Sequence, residues 1–543
     1  MPSVANFLME RMVNAGINHV MHVPGDYVLN FSKKLENCKD INLIGTCSEE
    51  GAGFAADAYA RVNGIGCVVV TYNVGALKIA NAVACAYAEK SPLLVISGSP
   101  GVSERKPGAL LHHMVRSFEC QHEVFKNWTC DSTVLSNPDT AGYEIDRVFE
   151  SLHYYKQPVY IELPRDIAEK SISYDVYKQL TPVAPKTDEE NLAEALNEVE
   201  EWITKSENPA ILAGVELARF DMGRELIKFA EKYNIPVATT LLSKSVVDEQ
   251  HPLYLGVYSG ACSQEGVQET IENSDCLLMF GVMLTDMTLS FIPSKFQKRQ
   301  TMQASIESLQ VKNHAFENVG FKDFVTALFK SEKIGRKSNY RIKENKNVVY
   351  ESKGDVELKT SRFFEKIDSI LTEDMAIVAD VGDALFGATD IRVHHRNAFL
   401  SPAFYTSMGT SIPGALGVQL ANPKLRPIVL VGDGAFQMSC VELSTIHRFG
   451  LNPIVFVLNN GGYNTERFLL DGEFNDIADW KYDKIVDMIG GGKGEVARTE
   501  EELDIAIDKA IKSNELFVIN VLLKPKDISP ALKRMTDGLS KKV

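Results

Sequence analysis

The chain has 543 residues, a net charge of −15 and 45% hydrophobic content. It is too long for one core, so two to four domains are expected, and its acidic balance argues against non-specific binding to nucleic acid or an anionic membrane. No apolar stretch is long enough to span a bilayer, and Ser3 to Gly16 carries Glu10 and Arg11 in an amphipathic helical pattern, unlike a basic, cleavable leader.

Nine scattered cysteines without a Cys-x-x-Cys pair suggest buried thiols in a reducing compartment, which makes the cytoplasm the expected address. From the start, helix and strand alternate. Phe7 to Ala15 reads as a helix and His19 to His22 as a strand ending in Pro24-Gly25-Asp26. A helix to about Glu36, a strand Ile41 to Thr46 and an Ala-rich helix Glu49 to Arg61 follow. Strands at Cys67–Tyr72, Leu93–Gly98 and Val159–Leu163 alternate with helices at Ile79–Glu89 and Ile145–Leu152. Such βα repetition implies a parallel sheet covered on both faces.

Thr181 to Asn191 reads as a linker. A second block has strands at Pro209–Ala213, Pro236–Thr239 and Cys276–Phe280, with a helix over Leu226–Tyr233. The basic, polar stretch Ser331 to Lys346 reads as a second linker. A third block begins near Glu357, with a helix Ser361–Leu371, a strand Met375–Asp380, a helix Ser411–Leu420 and a last strand Leu516–Leu523. The tail, Ser529 to Val543, reads as a helix over a site or a frayed end. The expected fold is α/β, with three parallel-sheet domains at about 1–180, 190–335 and 355–543.

Pro427 to Glu466 carries the strongest chemical signal. The run Pro427–Val431 ends in Gly432-Asp433-Gly434, a helix is expected from about Phe436 to Phe449, and Ile454–Leu458 ends in Asn459-Asn460-Gly461-Gly462. Parallel strands joined by a crossover helix bring their carboxyl ends side by side. Asp433, Asn460 and a backbone carbonyl near Gly462 would supply half of the roughly six oxygens that Mg²⁺ requires, with a diphosphate and water as the remainder. The flanking glycines let backbone approach phosphate closely.

Gly-Asp-Gly followed by Asn-Asn at this separation resembles the thiamin-diphosphate motif, and the chain resembles the 2-oxo-acid decarboxylases of the pyruvate, indolepyruvate and phenylpyruvate group. Leu110-Leu111-His112-His113, Val23-Pro24-Gly25-Asp26 and Glu49 before Phe54-Ala55-Ala56-Asp57 carry the same likeness. The resemblance implies a thiamin-diphosphate-binding fold, Mg²⁺ as second cofactor, and homodimers or homotetramers with active sites between subunits. It implies that Glu49, with Glu50 as its neighbour, bonds the cofactor's aminopyrimidine. It implies that Asp26, His112 and His113 relay protons, and that Glu466 lies near the substrate carboxylate. Neighbouring histidines do not share a helix face, so a metal site on the pair is not expected.

The same likeness makes Thr71, Gly382, Asp383, Met408, Gly432, Asp433, Gly434, Ala435, Asn460, Gly462 and Tyr463 candidates for cofactor binding, with Asp433, Asn460 and Gly462 as the metal set. Asn73 replaces a more usual glycine, and Asp380-Val381-Gly382-Asp383 resembles the phenylpyruvate version of its segment. Thr465, where pyruvate enzymes carry a bulkier isoleucine, suggests a substrate side chain larger than methyl. Leu284–Phe291 and Phe468–Leu470 are expected to add to the pocket. The implied reaction converts a 2-oxo acid, of aromatic type, to an aldehyde and CO₂. The alternatives are a carboligase or synthase, a decarboxylase preferring pyruvate or branched-chain acids, and a catalytically silent cofactor-binding protein.

Overall fold

The computed structural model describes residues 1–172, 184–289, 296–335, 337–341 and 349–540, with backbone alone for 537–540. Parts of the expected linkers (181–183, 336 and 342–346), of the expected pocket stretch (290–291) and of the tail (541–543) lie outside these residues. The chain forms two compact units. One is Met1–Ala184 with Ile412–Lys424 and Ser439–Leu451; the other is Pro185–Ser411 with Leu425–Met438 and Asn452–Val543.

The first unit holds a sheet of β1 (His19–His22), β2 (Asn42–Gly45), β3 (Gly66–Val70), β4 (Leu93–Ser99), β5 (Asp131–Val134) and β6 (Val159–Pro164). All neighbours are parallel, in the order β2-β1-β3-β4-β6-β5. The central strands β3, β4 and β6 are buried along their whole length, as both-face coverage requires. Phe7, Leu8, Phe31, Val69, Ile96, Ile145 and Ile161 share one apolar core. β5 was not foreseen: its Asp-Ser-Thr-Val sequence lacks an apolar run because it lies at the sheet's edge.

The second unit holds two sheets. β7 (Pro209–Ala213), β8 (Val237–Thr240), β9 (Tyr254–Tyr258), β10 (Cys276–Phe280), β11 (Thr301–Ala304), β12 (Leu309–Val311) and β13 (His314–Phe316) form the first, ordered β13-β12-β11-β10-β7-β8-β9. It is parallel except for the antiparallel meander β11-β12-β13. The other contains β14 (Met375–Ala379), β15 (Phe399–Leu400), β16 (Arg426–Gly432), β17 (Ile454–Asn459), β18 (Lys493–Ala497) and β19 (Phe517–Leu522). All its neighbours are parallel, in the order β15-β14-β16-β17-β19-β18. That order repeats the first unit's strand for strand, the repeated architecture that three similar blocks suggest.

Three expectations need correction. The helix expected over Phe436–Phe449 is two helices, Asp433–Ser439 and Glu442–Arg448, broken at Cys440-Val441. The first begins at the motif aspartate itself, and the break falls beside the boundary between the units. The first linker stops at Asp188, whose carboxylate caps the helix Glu189–Lys205. None of the nine cysteines forms a disulfide, but only Cys67, Cys85, Cys276 and Cys440 are buried, and Cys47 is exposed.

Candidate active site

In the last sheet, the chain passes from β14 to the edge strand β15 and returns on the other side of β14 as β16. Loops at such a reversal diverge, and the crevice between them is where open α/β sheets take ligands. Gly432 pairs with Leu458, so Asp433 emerges level with the start of the Asn459-Asn460 turn. A cavity of about 420 Å³ lies there. Gly382, Asp383, Met408, Gly432, Asp433, Gly434, Ala435, Asn460, Gly462, Tyr463 and Glu466 all line it.

Asp433 is buried, and its carboxylate organises the facing turn. Oδ2 accepts from the N–H groups of Asn460 (3.1 Å), Gly461 (2.7 Å) and Gly462 (3.1 Å), while Oδ1 accepts from Gly434 N–H at 2.8 Å. Burial pushes the carboxyl above its usual range, and the four amide donors oppose that shift. Asn460 Oδ1 is buried with no hydrogen-bond partner among the described residues. An orphaned amide oxygen beside a buried carboxylate is a hard-oxygen donor set, which fits Mg²⁺. Gly434 is required for the shape: a Cβ there would stand 2.6 Å from Tyr463 Cε1.

Asp380, one residue beyond β14, is fully buried. It accepts from Gly409 N–H (3.0 Å), Ser411 N–H (2.9 Å) and Ser411 Oγ (2.7 Å), and so ties down the loop that presents Met408 to the cavity. Asp383 faces the cavity, but its carboxylate is engaged by Ser529, through the N–H at 2.9 Å and the hydroxyl. Burial pushes Asp383 up to about 6, with Ser529 opposing and Asp527 adding to the rise. This pair anchors the tail helix, Pro530–Ser540, whose Met535 lines the cavity. Met287 and Leu469 fall in the stretches expected to add to the pocket; Phe386 and Met535 were not foreseen. Of these, a methionine on an amphipathic tail carries no signal in sequence that separates it from a core filler.

The remaining candidates lie in the first unit. Ser48 caps the helix Glu49–Asn63, its Oγ accepting from Gly51 N–H at 3.0 Å. Glu49 is buried at that helix start and pairs with Lys78 at 3.0 Å, whereas Glu50 is exposed. The turn before it is gripped by Glu442, which is 0% exposed. Glu442 Oε1 accepts from Ser48 N–H (2.9 Å) and Ser48 Oγ (3.1 Å), and Oε2 from Cys47 N–H (3.1 Å) and Thr445 Oγ1 (2.8 Å). Sequence reasoning missed Glu442; its signal was a lone carboxylate between Val441 and Leu443 in an apolar helical run.

His112 and His113 lie in a turn, not a helix, so the helix-face argument against their meeting does not apply. Their rings meet edge to face at 4.8 Å, and the ligating atoms of Asp26, His112 and His113 all lie within 4.8 Å of one another. His112 Nε2 stands 2.7 Å from Asp26 Oδ2, and Tyr27 stacks on His112 with its hydroxyl 3.3 Å from Nδ1. A carboxylate at Nε2 calls for a proton on that nitrogen, leaving Nδ1 to the tyrosine hydroxyl in the neutral ring. Thr71, just past β3, has a buried hydroxyl without a partner among the described residues.

The chain matches three family models in succession. That described as "Thiamine pyrophosphate enzyme, N-terminal TPP binding domain" covers residues 2–124. The corresponding central domain covers 196–328, and the C-terminal TPP binding domain covers 380–521. An indole-3-pyruvate decarboxylase of Azospirillum brasilense is 31% identical over 544 residues, covering 98% of each chain. Pyruvate decarboxylase 1 of Arabidopsis thaliana is 31% identical, covering 98% of this chain and 90% of its own. Pyruvate decarboxylase isozyme 2 of Saccharomyces cerevisiae is 28% identical, covering 96% and 95%.

Proposed function

Because the chain belongs to the family of thiamine-pyrophosphate-dependent 2-oxo-acid decarboxylases, we propose that it uses thiamin diphosphate and Mg²⁺ to convert an aromatic 2-oxo acid, of the phenylpyruvate or indolepyruvate type, to the aldehyde and CO₂. The observation that carries the reading is the Asp433 carboxylate clasping the 460–462 turn beside an unpartnered Asn460 oxygen. Asp433, Asn460 Oδ1 and the Gly462 carbonyl would hold Mg²⁺, and the backbone at Gly432, Gly434 and Ala435 would leave room for the diphosphate. Gly382, Asp383, Met408 and Tyr463 shape the cavity around the rest, and Thr71 adds a hydroxyl. When bound, thiamin diphosphate supplies the electron sink that decarboxylation needs.

The protein's own groups then move protons and exclude water. Glu49 holds a proton at the aminopyrimidine. Asp26, His112 and His113 carry protons to and from the reacting carbon and the departing aldehyde, a contribution of about 10²–10⁴-fold for well-placed acids and bases. Glu466 faces the substrate carboxylate. Phe386, Leu469, Met287 and Met535 give the cavity an apolar lining that suits a ring.

The reading includes a three-domain chain (about 1–180, 190–335 and 355–543) and self-association as a homodimer or homotetramer, with active sites between subunits. Exposed apolar side chains at Leu110, Val115, Leu469, Leu470 and Phe474, beside both residue clusters, support a covered surface. The nine cysteines without a disulfide support the cytoplasm; among the described residues no helix is long and apolar enough to cross a membrane. The test supplies purified protein with the diphosphate, Mg²⁺ and, in turn, pyruvate, a branched-chain oxo acid, phenylpyruvate and indolepyruvate. CO₂ release with the highest specificity constant on an aromatic acid is expected, with aldehyde as the product by mass spectrometry. No CO₂ from any of them refutes the reading; acyloin as the main product moves it to a carboligase.

A further inference from the structure

His113 has φ +66, a left-handed conformation that a Cβ disfavours. Its Nδ1 is buried without a partner among the described residues, so none of them fixes the ring through that nitrogen. The main chain is what is held. Asn73 Nδ2 donates to the His113 carbonyl at 2.7 Å, across 40 residues of sequence. Asn73 is itself left-handed, at φ +47, which asparagine tolerates better than most side chains.

Asn73 is held in turn. Its N–H donates to Gln121 Oε1 at 2.5 Å. Gln121 is fully buried, and the two protons of its Nε2 are shared among three oxygens within reach: Tyr160 Oη (2.5 Å), Ser97 Oγ (3.0 Å) and Glu162 Oε2 (3.3 Å). Its amide has one workable orientation: a flip would set its NH₂ against the Asn73 N–H and its oxygen against the Glu162 carboxylate. Arg105 fixes that carboxylate from the other side at 2.9 Å. A buried line of hydrogen bonds therefore runs from Arg105 and Glu162 through Gln121 and Asn73 to the backbone of His113.

We propose that Asn73 and Gln121 are positioning residues that hold His113 in its left-handed turn and thereby aim its imidazole. The consequence for turnover rests on the proton-relay reading of the histidine pair; the placement of His113 does not. Asn73→Gly keeps φ +47 accessible and removes only the donor. Asn73→Asp keeps the size and sets an acceptor against the His113 carbonyl.

Both variants are to be compared with the parent protein, loaded with thiamin diphosphate and Mg²⁺, on the 2-oxo acid that the parent turns over fastest. A ring displaced by 1 Å loses about 10²-fold in rate, so kcat should fall by roughly that factor while KM and the cofactor Kd change by less than about threefold. Crystal structures of both variants should show His113 leaving the left-handed region or its ring displaced. A parental kcat in Asn73→Gly, with His113 unmoved, overturns the proposal. A parent that turns over no 2-oxo acid refutes the functional reading alone, since the variant structures still decide whether Asn73 places His113.

Discussion

Replacing Glu442 tests how firmly the start of the Glu49 helix is held. Glu442→Ala removes the acceptor of two backbone N–H groups, at Cys47 and Ser48, and of the hydroxyls of Ser48 and Thr445. The hydroxyls can rotate to other partners, but the two N–H groups have fixed directions. A buried donor left unsatisfied costs about 1–3 kcal/mol. Cys47 is exposed, so water can reach part of the space, and about 2–4 kcal/mol in total is expected. For a unit of this size that lowers Tm by roughly 10 °C. Gly51 offers an independent probe: a Cβ there would stand 2.2 Å from Glu442 Oε1, so Gly51→Ala must displace the same carboxylate. Calorimetry gives the stability change, and turnover with saturating cofactor shows whether moving Ser48 also misplaces Glu49. Glu442→Gln keeps the shape but turns an NH₂ toward the donors, and should fall between. A Tm within about 3 °C of the parent in Glu442→Ala, with unchanged kcat, would refute the reasoning, because the four bonds would then contribute less than about 1 kcal/mol together.

Asp433→Ala should weaken Mg²⁺-dependent binding of thiamin diphosphate by about 10²-fold or more, measured calorimetrically, since it removes a metal oxygen and releases the 460–462 turn. Asp383, raised to about 6 in the folded protein, contributes stability that is present below its unfolded value and lost as pH rises through about 6. The Tm difference between Asp383→Asn and the parent should therefore shift in favour of the mutant between pH 5 and 7.5; a difference independent of pH would contradict this. Thr465→Ile places extra bulk where Thr465 Oγ1 already stands 3.4 Å from a Cβ built on Gly382. It should lower kcat/KM for phenylpyruvate by about tenfold, an overpacking cost of 1–3 kcal/mol, and leave pyruvate much less affected. Equal losses on both acids would count against a size-based pocket.

Much of the fold was legible because buried parallel strands are continuous apolar runs. Val159 to Leu163 and Ile454 to Leu458 could be read directly, whereas β5 and β18 could not: edge strands need little apolar surface, and Asp131-Ser132-Thr133-Val134 looks like a loop. The broken helix after Asp433 escaped notice because Cys440-Val441 contains neither glycine nor proline. Asn73 stood out in the sequence as a departure from glycine, but its bond to His113 depends on a turn 40 residues away.

By itself the sequence determined which residue types stand at strand ends: Asp433, Asn460, Asp26 and Glu49 each follow or open an element whose boundaries local patterns reveal. Alternating apolar runs and turn residues act over a few positions, so one dimension suffices to place them. Which of these groups are satisfied was a tertiary decision. Asp383 reads like Asp433 in the sequence, but folding gives Asp383 to Ser529, 146 residues later, and leaves Asn460 Oδ1 without a donor. Hydrogen-bond partnership depends on distances of about 3 Å between segments far apart in the chain, and only the packed structure sets those distances.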